Sequence, residues 1–172
     1  FAITEPLFFT HRTGYAIMER FAVLGLVGLA LTLCIIAGEI DLSIGSNAAL
    51  AAVITVRFTD AWGAETALLF ALVISTSIGA IQGYFIAYLR IRAIVLTVGT
   101  LMLLRGVALF AAEEKTVMLT DFRIPDFIST KMLGYFSPAS ILVLIMFIIV
   151  GLFMTYTRYG REIYAIGGAR KE

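Results

Sequence analysis

Apolar residues run through this chain in long blocks, separated by short clusters of charge, glycine and proline. The blocks lie at about 21–37, 47–58, 66–89, 93–112 and 138–156, and charged side chains gather at their ends. The pattern predicts an all-α polytopic membrane protein, with about five hydrophobic segments in one transmembrane domain over 1–172. At 1.5 Å per residue the first block reaches only about 26 Å, just short of a hydrocarbon core. The second is shorter still, and Arg57 near its end is placed to snorkel. The third is long enough to cross with tilt. Residues 1–20 carry Pro6, Gly14 and charges at Glu5, Arg12, Glu19 and Arg20. They predict an interfacial helix feeding the first span.

Between the first two blocks stands AGEIDLSIGS, residues 37–46. It holds two carboxylates, two glycines and two serines, yet Ile40, Leu42 and Ile44 keep it half apolar. This predicts a broken or re-entrant segment, because backbone leaves the helix at membrane depth only where protein or a wet cavity surrounds it. Such interruptions often mark a transport path. Its candidate lining is Glu39, Asp41, Ser43, Ser46 and Asn47, with Gln82, Thr97 and Thr100 from later spans. An ionised carboxylate at mid-bilayer costs roughly 2.5–3.5 kcal/mol, so both acids are expected to face protein or water. In the structural alternative, Asp41 caps the second helix with Ser43 or Ser46, and Gly38 and Gly45 give the break its backbone freedom. Arg105 is the other intramembrane charge, about 18 Å along its span. It is expected to pair with Glu39 or Asp41 and lock the break.

Ser75, Gly79, Gly83 and Ala87 recur every four residues and predict a close helix-packing face. Hydroxyls within spans, such as Thr97 and Thr100, mostly bond back to their own helix. The 90–92 turn and the 157–172 tail are basic, whereas the 113–137 loop holds four acids against three bases. The short-loop rule then puts the turn and tail in the cytoplasm, with 59–65 and 113–137 outside.

Composition sharpens the class: 60% of the 172 residues are hydrophobic and 15% charged, with mean hydropathy +0.98. A net charge of +1 without a basic tract gives no ground for a nucleic-acid partner. Cys34 is the single cysteine and His11 the single histidine. There is no metal-ligand spacing, no GxxxxGK[ST] phosphate loop and no HExxH. No cofactor, metal or catalytic residue is therefore expected on the chain. It begins at Phe1 rather than Met, so a preceding segment is expected; no signal-peptide pattern is visible.

AGEIDLSIGS after TLCIIA and before NAALAA resembles the signature of sugar-type ABC importer permeases, of the branched-chain amino acid/ribose permease superfamily. These move ribose, xylose, arabinose, galactose and related compounds, including autoinducer-2. Four more stretches resemble the family in the same order: FFT at 8–10, GAIQGYFIAYLRI at 79–91, VLTVGTLMLLRGVALF at 95–110 and TRYGREIYAIGG at 157–168. Two features depart from it. Glu39 stands where many members have a second glycine, and the chain stops where the family's ATPase-contacting loop begins. It resembles the N-terminal half of a permease. The resemblance implies import of a monosaccharide or sugar-like solute across the bacterial inner membrane. It implies cytoplasmic ABC ATPase subunits that hold ATP and Mg, a periplasmic solute-binding protein, and a second permease copy or homologous permease. Arg158, Arg161, Arg170 and Lys171 would then lie on the ATPase-facing segment. The alternatives are a proton- or ion-coupled secondary transporter using Glu39 and Asp41, and an inactive structural fragment.

Overall fold

A computed structural model describes residues 10–113, 115, 118–119, 121–132 and 134–169. Within them the chain forms α1 (His11–Ile36), α2 (Ile44–Trp62), α3 (Ala64–Ala87), α4 (Ala93–Ala111), α5 (Arg123–Ile128), α6 (Pro138–Tyr156) and α7 (Arg158–Ala169). No strand occurs among the described residues beyond an isolated Met132–Phe136 bridge. Four helices, α1, α3, α4 and α6, are long and apolar enough to cross a membrane. The protein is an all-α, multi-pass membrane protein. The chain divides into two compact units: residues 1–38 with 123–172, and residues 39–122.

In the first unit α1 differs from expectation. Residues 11–20 run without a break into the expected first span, as the opening turns of one 26-residue helix N-capped where Thr10 Oγ1 accepts the Thr13 amide. Charges at Arg12, Glu19 and Arg20 do not stop it, because nothing there breaks the backbone: Gly14 is only a weak helix former. Gly14 is instead a notch for the Tyr135 ring, whose edge lies 2.5 Å from where a Cβ would sit. His11 tilts against the same ring at 4.6 Å, and the Tyr15 hydroxyl donates to the Ser129 carbonyl. Farther along, α1 meets α6 through Phe21 and Phe147, stacked at 5.9 Å. Helix α6 opens with a capping box between Ser137 and Ser140 and with Pro138 in its first turn, two features that start a helix. Helix α7 turns back over the end of α6, with Gly160 against the Met154 backbone, and reaches α1, with Gly167 against the Ile36 carbonyl.

In the second unit α2 packs along both α3 and α4. Gly63 alone joins α2 to α3, at φ 81° and ψ 153°, backbone that only glycine adopts readily. The hairpin is close because α3 turns Ala64, Ala67 and Ala71 inward, all buried. Leu50 and Ile54 of α2, Ala71 of α3, and Leu104 and Ala108 of α4 form the core. Helix α2 has 19 residues rather than the 12 of the expected 47–58 block. It is not among the four span-like helices, since Asn47, Arg57 and Asp60 dilute its hydropathy. Its flanking partners explain how a helix this polar is tolerated.

Candidate functional site

The polar break is a turn between Ile36 and Ile44. It begins at Gly38, whose φ of 78° lies in the left-handed region where a side chain is strained. The division between the two units falls immediately after it. Gly45 plays no such part, because it already lies in the first turn of α2.

From Glu39 onward the segment is tied into the second unit by side chains. Asp41 Oδ1 accepts both the Ser43 amide and the Ser43 hydroxyl, each at 2.7 Å. This is an Asx-type turn leading into the helix; it ends at Ser43, the N-cap residue of α2, and no side chain accepts an amide of the helix's first turn there. The same Ser43 oxygen accepts from Gln82 Nε2 of α3 at 2.9 Å. Ser43 is 1% exposed and Gln82 7%. A three-residue relay, Asp41–Ser43–Gln82, therefore fixes the start of α2 to the last turns of α3. From α4, the Thr97 hydroxyl donates to the Ile40 carbonyl at 3.4 Å. Ser46 is buried in the first turn of α2. Glu39 is half-buried.

One turn on, Asn47 Nδ2 donates to the Ser75 carbonyl at 3.3 Å. Asn47 Oδ1 and the Ser75 hydroxyl are enclosed without hydrogen-bond partners. Thr100 donates to Leu96 of its own helix at 2.9 Å, as a hydroxyl within a span was expected to do. Of the eight candidate lining residues, the structure thus ties Asp41, Ser43 and Gln82 to one another and Thr97 to the break's backbone. Asn47 lies beside them, and Thr100 turns to its own helix.

Two expectations are corrected. Arg105 does not lock the break: its side chain is exposed, and it forms no ion pair with either acid. It lies one residue beyond Leu104, which is the position α4 turns to the core, so the helix rotates Arg105 away. Nor is the stripe of Ser75, Gly79, Gly83 and Ala87 the face by which α3 meets α2 within the described residues. Gly79, Gly83 and Ala87 are exposed, and a Cβ added at Gly79 or Gly83 would meet nothing within 4 Å. A four-residue repeat drifts around a helix of 3.6 residues per turn. The buried line follows Ala64, Ala67, Ala71 and Gln82 instead.

An ion pair of this unit lies elsewhere. Arg57, expected to snorkel, pairs with Glu113 beyond the end of α4, and Lys115 Nζ lies 3.8 Å from the other carboxylate oxygen. A sequence signal existed: three successive spans place the ends of the second and fourth segments on one side, and each ends in a charge. On the tail, Arg158 stacks over Tyr159 at 5.1 Å and Arg161 reaches the Tyr156 carbonyl at 3.5 Å; both are exposed. Arg170 and Lys171 lie outside the described residues. Among the described residues no group of three or more His, Cys, Asp or Glu could hold a metal ion.

Comparison with known proteins adds an independent line. The family described as "Branched-chain amino acid transport system / permease component" matches residues 15–171. The chain is 30% identical over 175 residues to the inner membrane ABC transporter permease protein YjfF of Escherichia coli (strain K12), covering 95% of this chain and 51% of that protein. It is 31% identical over 174 residues to the autoinducer 2 import system permease protein LsrC of Yersinia enterocolitica, covering 98% and 48%. LsrC of Yersinia pestis is also 31% identical over 174 residues, with 98% and 49% covered. The chain spans about half the length of the curated relatives it matches. No solved structure matches it.

Proposed function

We propose a function on one premise: the chain belongs to the permease-component family of branched-chain amino acid transport systems. On that premise it forms part of the membrane-spanning permease subunit of an ABC importer. It moves a monosaccharide or sugar-like solute across the bacterial inner membrane. The solute class is supported by the likeness to LsrC, whose name assigns it to autoinducer 2 import, and the membrane by the name of YjfF. The observation that carries the reading is the break itself. Non-helical backbone from Ala37 to Ser43 precedes the enclosed helix α2, and hydrogen bonds from α3 and α4 hold it. That is the construction by which transporters place polar backbone inside a bilayer.

In this reading the polar relay holds the wall of the path, and Asn47 and Glu39 offer the nearest groups for solute. ATP and Mg bind a separate cytoplasmic ATPase, which acts on α7 and its exposed Arg158 and Arg161. Because Gly167 of α7 rests on the Ile36 carbonyl, displacement of α7 reaches the end of α1, two residues before Gly38. A periplasmic binding protein delivers solute, and a second permease copy or a homologous permease completes the path. Uptake of labelled ribose, xylose, arabinose, galactose and autoinducer-2 into proteoliposomes, with the permease and its ATPase reconstituted together, tests this. Uptake of at least one is expected to require ATP and to survive a protonophore. Uptake that proceeds without ATP and stops when the proton gradient collapses overturns it in favour of ion coupling through Glu39 and Asp41.

A further inference from the structure

Arg57 and Glu113 stand at the rim of a cleft of about 770 Å³ in the second unit, lined also by Phe58, Gly106, Leu109 and Phe110. The volume lies within the range of small-molecule sites, about 300–1,000 Å³. Part of the cleft is a missing side chain, because a Cβ at Gly106 would meet nothing within 4 Å. Two aromatic rings flank it. Phe58 is held by Trp62, stacked at 4.4 Å, and by the edge of Phe70 at 5.7 Å. Phe110 is 85% exposed.

The rim is polar and balanced. Arg57 and Glu113 pair with side chains 49% and 53% exposed, so guanidinium donors and carboxylate lone pairs remain within reach of a ligand. Lys115 adds a positive charge beside Glu113, and Asp60 stands one turn beyond Arg57 on α2. The described charges cancel. Glu113 also occupies a left-handed backbone conformation, φ 55°, just past the end of α4. Glycine makes that helix ending with least strain; this chain puts a carboxylate there, and the carboxylate meets Arg57.

We propose that this cleft is an outer subsite for a neutral polyhydroxylated solute, a monosaccharide or close analogue. Such a molecule presents an apolar C–H face and a rim of hydroxyls that each donate and accept. The phenylalanine rings match the face, and Arg57 beside Glu113 matches the hydroxyls. An anionic headgroup would call for excess positive charge, which the cleft's described residues do not supply. The cleft lies where α2 and α4 both end, opposite the basic 90–92 turn, and so on the side from which solute arrives. The proposal rests on the importer reading and adds to it the place where solute first lodges.

Trp62 is the single tryptophan of the chain and stacks on a ring of the cleft, so its fluorescence reports occupancy. In nanodiscs of zwitterionic lipid, titration with ribose, xylose, arabinose or galactose is expected to give a saturable change with at least one sugar. Phe110→Ala and Glu113→Gln are each expected to weaken it about tenfold, the size of one lost hydrogen bond to a charged group or one lost ring contact. Gly106→Leu is expected to abolish it while leaving the helical circular dichroism and the thermal transition intact, since the space there is open and leucine is the better helix former. In the reconstituted transporter the same variants raise the half-saturating solute concentration and leave the maximal rate unchanged. No saturable change, saturation indifferent to Gly106→Leu, or a response to anionic lipid in place of sugar overturns the subsite. Any of these alongside continued ATP-dependent uptake leaves the importer reading standing. Absence of ATP-dependent uptake in the unsubstituted transporter removes the importer reading, whatever Trp62 reports.

Discussion

The two units of this chain hold their helices together by different means. In the first, α1, α6 and α7 meet through rings and bare backbone: Phe21 on Phe147, Tyr135 in the notch of Gly14, Gly167 on the Ile36 carbonyl. In the second, α2 is fixed near its start by the relay of Asp41, Ser43 and Gln82, and near its end by Arg57 with Glu113. An alanine-lined apolar core lies between. The difference follows from what each helix must expose. Helix α1 is span-like and little of it is buried within the chain, so it keeps an apolar surface and packs by shape. Helix α2 is flanked on two sides, and that enclosure lets it carry polar groups a lipid-facing helix could not. The most polar of the long helices is thus the most enclosed in its unit.

If shape holds α1, α6 and α7 together in the first unit, filling a glycine notch there should do the most damage. Gly167→Leu drives its Cβ into the Ile36 carbonyl, with the Ile36 and Ala37 carbonyl carbons only 3.0 and 3.2 Å away. Backbone cannot step aside as a side chain can, so the expected loss is about 2–3 kcal/mol. Protease protection of α7 and the thermal midpoint in detergent both read it. Gly79→Leu in the second unit, where a Cβ meets nothing within 4 Å, should not lower the same midpoint, since leucine is the better helix former. Equal effects at the two glycines would erase the contrast.

The second unit should respond to loss of a hydrogen bond where the first responds to loss of space. Ser43→Ala removes an oxygen shared by Asp41 and Gln82, both of which then lose a partner. About 1–2 kcal/mol is expected, the penalty for a buried polar group left unpaired and softened by the partners a membrane protein finds when unfolded. A double-mutant cycle of Ser43→Ala with Gln82→Leu isolates the relay. Its coupling should lie near 0.6 kcal/mol and no higher than about 1.7. A cycle that closes to zero would show that Gln82 packs there without bonding.

Much of this was legible from the chain. The apolar blocks gave the helices because a bilayer leaves the backbone few other choices. The 37–46 stretch was legible as a break, since charge and paired glycines interrupt an apolar run only where protein surrounds them. Rotation was not legible. Gly79 and Gly83 read as a packing face and Arg105 as an inward charge, because sequence spacing shows which residues share a face but not which way that face points. Leu104 and Ala71 set the inward direction, and every neighbour follows at 100° per residue. Residues 11–20 were misjudged as a boundary for another reason; residues 1–9 lie outside the described residues. The charges of 11–20 suggested an interface, but charge does not end a helix; only its capping and backbone do.

The smallest expected effect is also the one whose sign is least obvious. Glu113 gives the second unit its end-of-helix ion pair, but it does so at φ 55°, where a Cβ crowds the backbone. Its pairing with Arg57 is half-exposed, so the pair contributes about 0.2–1 kcal/mol. The left-handed conformation costs about 1–2 kcal/mol relative to glycine. Glu113→Ala keeps the strain and removes the pair, so it should lower stability by about 0.5 kcal/mol. Glu113→Gly removes both, and relief of strain should outweigh the lost pair, raising stability by about 0.5 kcal/mol. Thermal midpoints on opposite sides of the unsubstituted chain would show that the carboxylate is kept against the preference of the fold. Both variants falling below it would show that the pair stabilises the second unit more than a half-exposed contact should, and that polar groups hold this end of α2 as firmly as they hold its start.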